Sequence, residues 1–353
     1  MDVDDDFGHE GVLSTTGRRS GHLITVAVHS TRLGPALGGC RLWSYPSWRD
    51  AQADAMRLAR GMTYKNALAG LDAGGGKTAV RVDGRPEGEL RRAIFLDVGD
   101  AVESFAGAYV TAEDVGTSSA DMVVVTERTR HAVGLPPELG GSGDPGAHTA
   151  RGVHAAISAT LAWLDGSRDA AGRRFAIAGL GQVGSALARR LVAEGAAVVA
   201  TDVDPGKRAV AESLGASWCG PGEAHRQECD VFVPAGVGGM LTTAVIGELR
   251  ARAVVGPANN QLAQPDGAQR LRDRGILYAP DYLVNAGGVI HLQLSADGES
   301  ADTIAARIDA IGDTLTRLLE RSRDLGVTTV EAADLEVERR LAGAVPVAQG
   351  TTG

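Results

Sequence analysis

From Arg174 to Asp204 the chain reads RFAIAGLGQVGSALARRLVAEGAAVVATDVD: an apolar run, three glycines at fixed spacing, an amphipathic stretch, and a second apolar run that closes on an acid. Few folds accommodate that order. A strand that turns through glycine into a helix and returns to a second strand is a right-handed crossover, and its two strands lie parallel in a sheet covered on both faces. Each glycine has its own job. Gly179 makes the tight turn, Gly181 leaves the N–H groups at the helix start open to close approach, and Gly184 lets helix and strand pack together. Glycines also end strands for local reasons, but here the whole context of strand, turn, helix, strand and acid is present. A pyrophosphate fits such a cradle. Asp202 is placed to accept hydrogen bonds from an adenosine ribose and to repel a 2′-phosphate, which favours NAD over NADP, although Lys207 and Arg208 nearby pull the other way.

Later stretches repeat the rhythm. CDVFVPAGVGG, RAVVGPANNQ and ILYAPDYLVNAGG are short buried-type strands, each ending in Gly, Pro or Asn, as in a parallel sheet with helices on both faces. Upstream, HLITVAVHST at 22–31 reads as a strand, and SWRDAQADAMRLARGM as a helix opened by Ser47 and Asp50. The Gly- and Pro-dense segment LPPELGGSGDPGAHTARGV places a hinge near Gly146. Near the end, Ile304, Ile308, Ile311, Leu315, Leu318 and Leu319 share one helical stripe with Gly326 as its C-cap. That helix is expected to dock across a cleft or on another subunit. The fold class is therefore α/β in two domains: residues 1–146 for substrate and oligomerisation, 147–290 as a Rossmann-type doubly wound nucleotide domain, and 291–353 as C-terminal helices returning over the cleft before a loose tail. A chain of 353 residues with 44% hydrophobic content can fill both cores.

Charge and cysteine usage exclude other classes. A formal charge of −9 repels nucleic-acid backbones and anionic membrane surfaces. Cys40, Cys219 and Cys229 form no CxxC pair, and no His, Cys or carboxylate cluster has zinc-site spacing, so no metal is expected. The acidic opening MDVDDDFGHE is unlike a signal peptide, and no apolar run reaches the roughly 20 residues of a membrane span. A reduced, cytoplasmic protein is expected.

GLDAGGGKTAV at 70–80 carries three glycines and a lysine but lacks the GxxxxGK[ST] spacing of a phosphate loop. The glycines more plausibly let Lys77 stand beside a small substrate. Lys65, in RGMTYKNALAG, also lies among small or apolar neighbours. Two partly desolvated lysines can divide the work: one holds a carboxylate as a fixed charge, and the other, its pKa lowered by burial and by its like-charged neighbour, takes part in proton transfer. Two lysines snorkelling at a domain edge are the competing reading. Asp114, in YVTAEDVGT, ends an apolar strand where it could join them or cap the following helix.

LGPALGGCRLW, RGMTYKNALAG, GGGKT, YVTAEDVGT, GLGQVG, ANNQLA and YAPDYLVNAGG stand in order between about residues 22 and 292, and together they resemble the glutamate/leucine/phenylalanine/valine dehydrogenase family, its leucine and valine members above all. The resemblance implies oxidation of an L-amino acid to a 2-oxo acid and ammonia with NAD taking the hydride. It implies that Lys65 binds the substrate carboxylate with Gly39 close by, that Lys77 activates water and stabilises the carbinolamine, and that Asp114 shuttles protons to and from the nitrogen. Asn285 would position the substrate or the nicotinamide side of the site, and Thr149 and Asn260 would contact the cofactor.

The family's pocket positions correspond to Leu37, Ala112, Val289 and Leu292, all apolar, which excludes a substrate γ-carboxylate because it would be buried without a partner. Leu292 stands where a valine is usual, narrowing the pocket by about one methylene, worth ~1–3 kcal/mol of discrimination and leaning towards valine or isoleucine. Three features depart from the family pattern: Pro-Ala-Gly at 234–236 for Pro-Cys-Ala, His148 and Arg151 where apolar or aromatic residues are usual, and the lack of a helix before the first strand. A homo-oligomer is expected. The competing functions are a phenylalanine or tryptophan dehydrogenase and a non-catalytic NAD-binding module.

Overall fold

A computed structural model describes residues 8–139, 141, 143 and 145–344; the tail expected at the C-terminus lies outside them. The chain divides into two compact units. One comprises the chain up to residue 144, residues 295–297 and everything from Val337 on; the other comprises Pro145–Leu294 and Gly298–Glu336. The C-terminal helices therefore form no third region.

Unit 1 is built on β1 (Gly11–Thr16), β2 (Leu23–Ser30), β3 (Ala36–Trp43), α1 (Trp48–Leu68), β4 (Gly74–Arg81), α2 (Gly88–Glu103), β5 (Tyr109–Glu113) and α3 (Ser119–Thr126). Its sheet has the order β1-β2-β4-β3-β5, with β1, β2 and β4 antiparallel in turn and β3 parallel to both β4 and β5. Ser47 caps α1 by accepting from the Asp50 N–H. Ala51, Ala55 and Ala59 turn inward from α1 and are fully buried against Ala27 and Ala79 of the sheet. The opposite face buries Ile24, Val26, Val80, Phe95, Val98, Tyr109 and Met122 between sheet, α2 and α3.

The glycine run forms strand, with no turn within it. A Cβ on Gly74 would lie 1.8 Å from the Ser30 carbonyl oxygen, on Gly75 2.1 Å from the Thr63 nitrogen of α1, and on Gly76 2.4 Å from the Tyr109 ring. The three glycines thus let helix and strands approach β4 to backbone contact.

Unit 2 contains α4 (Gly146–Asp165), β6 (Arg174–Ala178), α5 (Gln182–Ala193), β7 (Ala197–Thr201), α6 (Arg208–Ser213), β8 (Ser217–Trp218), β9 (Cys229–Pro234), α7 (Thr243–Glu248), β10 (Ala251–Val254), α8 (Gly267–Asp273), β11 (Leu277–Tyr278), α9 (Asp281–Val284), most of α10 (Gly287–Ala296), α11 (Ala301–Leu325) and the first half of α12 (Thr329–Gly343). Its six strands are all parallel in the order β11-β10-β9-β6-β7-β8. The chain runs outward from β6 to β8, then returns to the other side of β6 with β9. That reversal opens a crevice beyond the ends of β6 and β9.

Within its own unit α11 packs on α4. Gly152 and Gly312 make this possible: a Cβ on Gly152 would meet the Ile311 side chain at 2.7 Å, and one on Gly312 the Ala155 carbonyl oxygen at 2.8 Å. Ser300 caps α11 at its start, and Gly326, at φ +67°, ends it. Return to unit 1 falls to the end of α12, where Arg340 donates to the Ala67 and Leu71 carbonyls at the C-terminus of α1. Among the described residues no helix is long and apolar enough to cross a membrane.

Candidate active site

Lys77 projects from β4 on the side facing α1, in phase with Gly75 and Ala79, and is only 5% exposed. A buried ammonium needs a counter-charge. Asp114 supplies it: the Lys77 Nζ lies 2.7 Å from Asp114 Oδ2, and Arg41 Nε of β3 donates to the same oxygen at 3.0 Å. Burial pushes the Asp114 carboxyl up, but the charges of Lys77 and Arg41, with their hydrogen bonds, outweigh it and hold the group well below the usual carboxylate range.

Local folding fixes Asp114 from behind. Its N–H donates to Thr117 Oγ at 2.8 Å, the Thr117 N–H donates to the Asp114 carbonyl at 3.0 Å, and between them Gly116 turns the chain at φ +83° against the Leu42 carbonyl. Ser118 with Asp121 forms the capping box of α3, so Asp114 is not that helix's cap. Gly39 pairs with Ala112 across β3 and β5, and a Cβ on Gly39 would lie 2.7 Å from that of Asp114. Leu37, two residues before Gly39 on β3, is buried opposite Gly75.

Lys65 lies half-buried in the last turn of α1. Asp54, Leu58, Met62 and Lys65, at successive spacings of four, four and three, form one stripe of that helix. Its neighbour Asn66 is fully buried and donates to the Gly74 carbonyl at 2.6 Å, locking the end of α1 to the start of β4.

The sequence reading missed the extension of this centre. Arg41 Nη1 also contacts Asp54 Oδ2 at 3.2 Å, the Tyr45 hydroxyl donates to that oxygen at 2.8 Å, and Arg57 pairs with Asp54 Oδ1 at 2.5 Å. Burial pushes the Tyr45 phenol up, helped by its bond to Asp54. The signal for Arg41 was strand parity, since Leu37, Gly39 and Arg41 alternate along β3; Asp54 shares the Lys65 stripe.

In unit 2, Gly179, Gly181 and Asp202 line a cavity of about 500 Å³ at the crevice, with Val203, Pro221, His225, Phe232, Met240 and Val245 among its largely apolar walls. Gly179 holds φ +119°, and a Cβ there would strike Ala235 at 2.6 Å; a Cβ on Gly184 would strike the Gly179 carbonyl oxygen at 2.0 Å. Gly181, the N-cap of α5, faces open space. Asp202 Oδ2 accepts from the Leu180 N–H at 2.7 Å and holds the turn, and Arg208 is paired with Glu212 at 2.9 Å. An open glycine at a helix start, a fixed carboxylate and an apolar chamber fit a dinucleotide.

The remaining predicted contacts cluster elsewhere in unit 2. Asn285 donates to the Pro257 carbonyl at 3.1 Å and to Asn259 Oδ1 at 2.7 Å, while its own Oδ1 is buried without a hydrogen-bond donor. Asn260, at φ +52°, is held by Asp281 through its N–H. Thr149 Oγ bonds to the Pro145 carbonyl at 3.1 Å and would touch a Cβ on Gly288 at 2.8 Å. Val289 and Leu292 stand half-buried on one face of α10. His148 is in the first turn of α4, stacked at 3.6 Å on His291, and Arg151 makes a bidentate pair with Asp309 of α11. Both side chains of that departure from the family pattern thus have partners inside unit 2. In the Pro-Ala-Gly departure, Ala235 donates to the Ala178 carbonyl and closes β9 against β6.

Comparison with known proteins settles the family. The model described as Glu/Leu/Phe/Val dehydrogenase, dimerisation domain, matches residues 19–131, and that of the Glutamate/Leucine/Phenylalanine/Valine dehydrogenase domain matches 140–207 and 207–337. The chain belongs to this family. Its members include a valine dehydrogenase of Streptomyces coelicolor, 43% identical over 97% of this chain and 94% of that one. A leucine dehydrogenase of Geobacillus stearothermophilus is 39% identical over 95% and 91%. Among solved structures, the L-tryptophan dehydrogenase of Nostoc punctiforme is 33% identical, with a TM-score of 0.83 over 96% of this chain and 97% of that one.

Proposed function

We propose that this protein is an amino-acid dehydrogenase that reversibly converts a branched-chain L-amino acid (valine, leucine or isoleucine) to its 2-oxo acid and ammonia with NAD. The observation that carries the reading is the buried Lys77–Asp114 pair at 2.7 Å, in a chain about 40% identical to leucine and valine dehydrogenases over nearly its whole length. A binding module has no use for such a pair.

The glycine cradle of Gly179, Gly181 and Gly184 would hold NAD, which would supply the hydride acceptor. The chain's own groups handle the rest. Lys65 holds the substrate carboxylate, with the Gly39 backbone beside it. Asp114 takes a proton from the substrate ammonium, so that the nitrogen lone pair can drive hydride loss and leave an iminium. Lys77 then orients the water that adds to the iminium carbon, takes its proton and stabilises the resulting carbinolamine; Asp114 returns a proton to nitrogen so that ammonia leaves, and the hydroxyl proton of the carbinolamine passes to solvent as the carbonyl forms. Leu37, Ala112, Val289 and Leu292, the positions assigned to side-chain recognition, are all apolar, in keeping with an aliphatic substrate. Asn285 has an unused buried acceptor for substrate or nicotinamide, and Thr149 and Asn260 are assigned to the cofactor.

NAD is favoured over NADP because Asp202 would face a 2′-phosphate while Arg208 is engaged by Glu212. A homo-oligomer is proposed from the dimerisation domain matched at 19–131, and a cytoplasmic location from its three free cysteines.

The test is NADH formation at alkaline pH with a panel of L-amino acids, comparing wild type with Lys77→Ala. Turnover of valine, leucine or isoleucine, lost in the variant while NAD still binds, is the expected result. Activity confined to phenylalanine or tryptophan would reassign the substrate, and NAD binding without turnover of any amino acid would sink the enzyme reading.

A further inference from the structure

Asp114 receives two cations on one oxygen, and the two differ in kind. Lys77 changes its charge as protons move, whereas the Arg41 guanidinium stays protonated throughout. Arg41 is also fixed in place: Nε reaches Asp114 at 3.0 Å and Nη1 reaches Asp54 at 3.2 Å, and Asp54 is in turn held by Tyr45 at 2.8 Å and Arg57 at 2.5 Å. The set spans β3, α1, β4 and the turn after β5, and it is only partly exposed, with Arg41 at 20% and Asp54 at 17%.

We propose that Arg41, anchored by Asp54, is a positioning residue of the acid–base centre: it aims the Asp114 carboxylate at Lys77 and supplies the positive charge that remains when Lys77 gives up its proton. The inference rests on the reaction assigned above. During water attack Lys77 alternates between ammonium and amine, and without a second cation Asp114 would then stand half-buried with no counter-charge. It would take up a proton and lose its capacity to accept one from the next substrate ammonium. Arg41 prevents this. Asp54 completes the arrangement by holding the guanidinium in place. The charged and titratable groups facing Asp114 are Lys77 from β4, Arg41 and the buried Cys40 thiol from β3, the buried Tyr109 phenol from β5, and, through Arg41, Asp54 and Arg57 from α1 and Tyr45 from the loop between β3 and α1.

The test compares the full-length enzyme with Arg41→Gln, Arg41→Lys and Asp54→Asn. With saturating NAD, kcat and kcat/KM for valine or leucine are followed across pH. Removing a cation from the centre disfavours the proton-accepting forms on which both transfers depend, so the acid limb of the Arg41→Gln profile should move up by about 1 pH unit, roughly a tenfold loss of rate on that limb. Loss in kcat should exceed the change in KM, Arg41→Lys should restore part of the limb, and Asp54→Asn should move it in the same direction by less. NAD binding, read by nucleotide fluorescence, should be unchanged in all three. An unmoved limb in Arg41→Gln, or a loss confined to KM, overturns the proposal; should that variant fail to fold, Asp54→Asn decides by the same criterion. If the wild type turns over no amino acid, the assigned reaction has failed. The positioning role is then decided separately by 13C NMR titration of the Asp114 carboxyl, which must rise in Arg41→Gln if Arg41 holds it and stay in place if it does not.

Discussion

Asp114 accepts from Lys77 and Arg41 through a single oxygen, which keeps its carboxylate ionised and its second oxygen available to a substrate nitrogen. Asp114→Asn should therefore lower kcat by ~10²–10⁴-fold with little effect on NAD affinity, measured by steady-state kinetics beside nucleotide titration. Asp202 is the corresponding single residue for cofactor choice. Asp202→Ser should raise the NADP-to-NAD ratio of kcat/KM, and an unchanged ratio would assign the preference elsewhere. His29, on β2, has its imidazole pushed down to about 4 by burial and by the neighbouring His9 and Arg60, with Nδ1 bonded to Thr63 at 2.9 Å. Between the unfolded value of 6.5 and about 4, the unfolded chain binds a proton that the native state refuses, so the contribution is full above 6.5 and falls as pH drops through that window. His29→Gln should flatten the fall of Tm over that range. At this scale the lysines and Asp114 stood out in the sequence because charge among small apolar neighbours is conspicuous. Arg41 and Asp54 did not, since an arginine in a strand and an aspartate in an amphipathic helix look like ordinary surface residues until the fold brings them together.

Between elements, small residues decide how near one piece of backbone comes to another. α1 lies on β4 through Ala51, Ala55, Ala59 and Gly75, and the Gly75 position is already at backbone contact with Thr63. Gly75→Ala should cost ~1–3 kcal/mol through overpacking, seen as a lower Tm, and it should lower turnover as well because Lys77 lies two residues further along the same strand. A Tm equal to that of wild type would show that α1 can shift to make room. The sequence displayed the glycines but not their use. A run of three glycines is a signal for turn or ligand approach, and only the register of β4 against β2 and β3 shows that it is a strand stripped of side chains on both faces. The unit around Gly179, Gly181, Gly184 and Asp202 was legible from the start because its spacing encodes local geometry, which needs no knowledge of distant partners. α11 was legible as a helix with its C-cap, but its partner was not: the glycines that seat it, Gly152 and Gly312, are 160 residues apart in the chain.

At the scale of the whole molecule, the chain leaves unit 1 after residue 144, rejoins it briefly at Ser295–Asp297 and comes back to stay at Val337. Composition indicated two cores and no more, and the point of return could not be read from it because α12 is one uninterrupted helix shared between the units. Its last turns are tied down by Arg340, whose guanidinium donates to the Ala67 carbonyl in the last turn of α1 and to the Leu71 carbonyl just beyond it, next to the Lys65 turn. Synthesis runs in the other direction. A ribosome delivers β1 to α3 first, and such a segment would ordinarily fold while the remainder is still being made. Here the Leu71 carbonyl just past α1 waits for a residue 269 positions downstream, so the first unit to emerge is the last to be finished, and a nascent chain released before Arg340 carries Lys65, its proposed carboxylate-binding lysine, on a helix whose end lacks that tether.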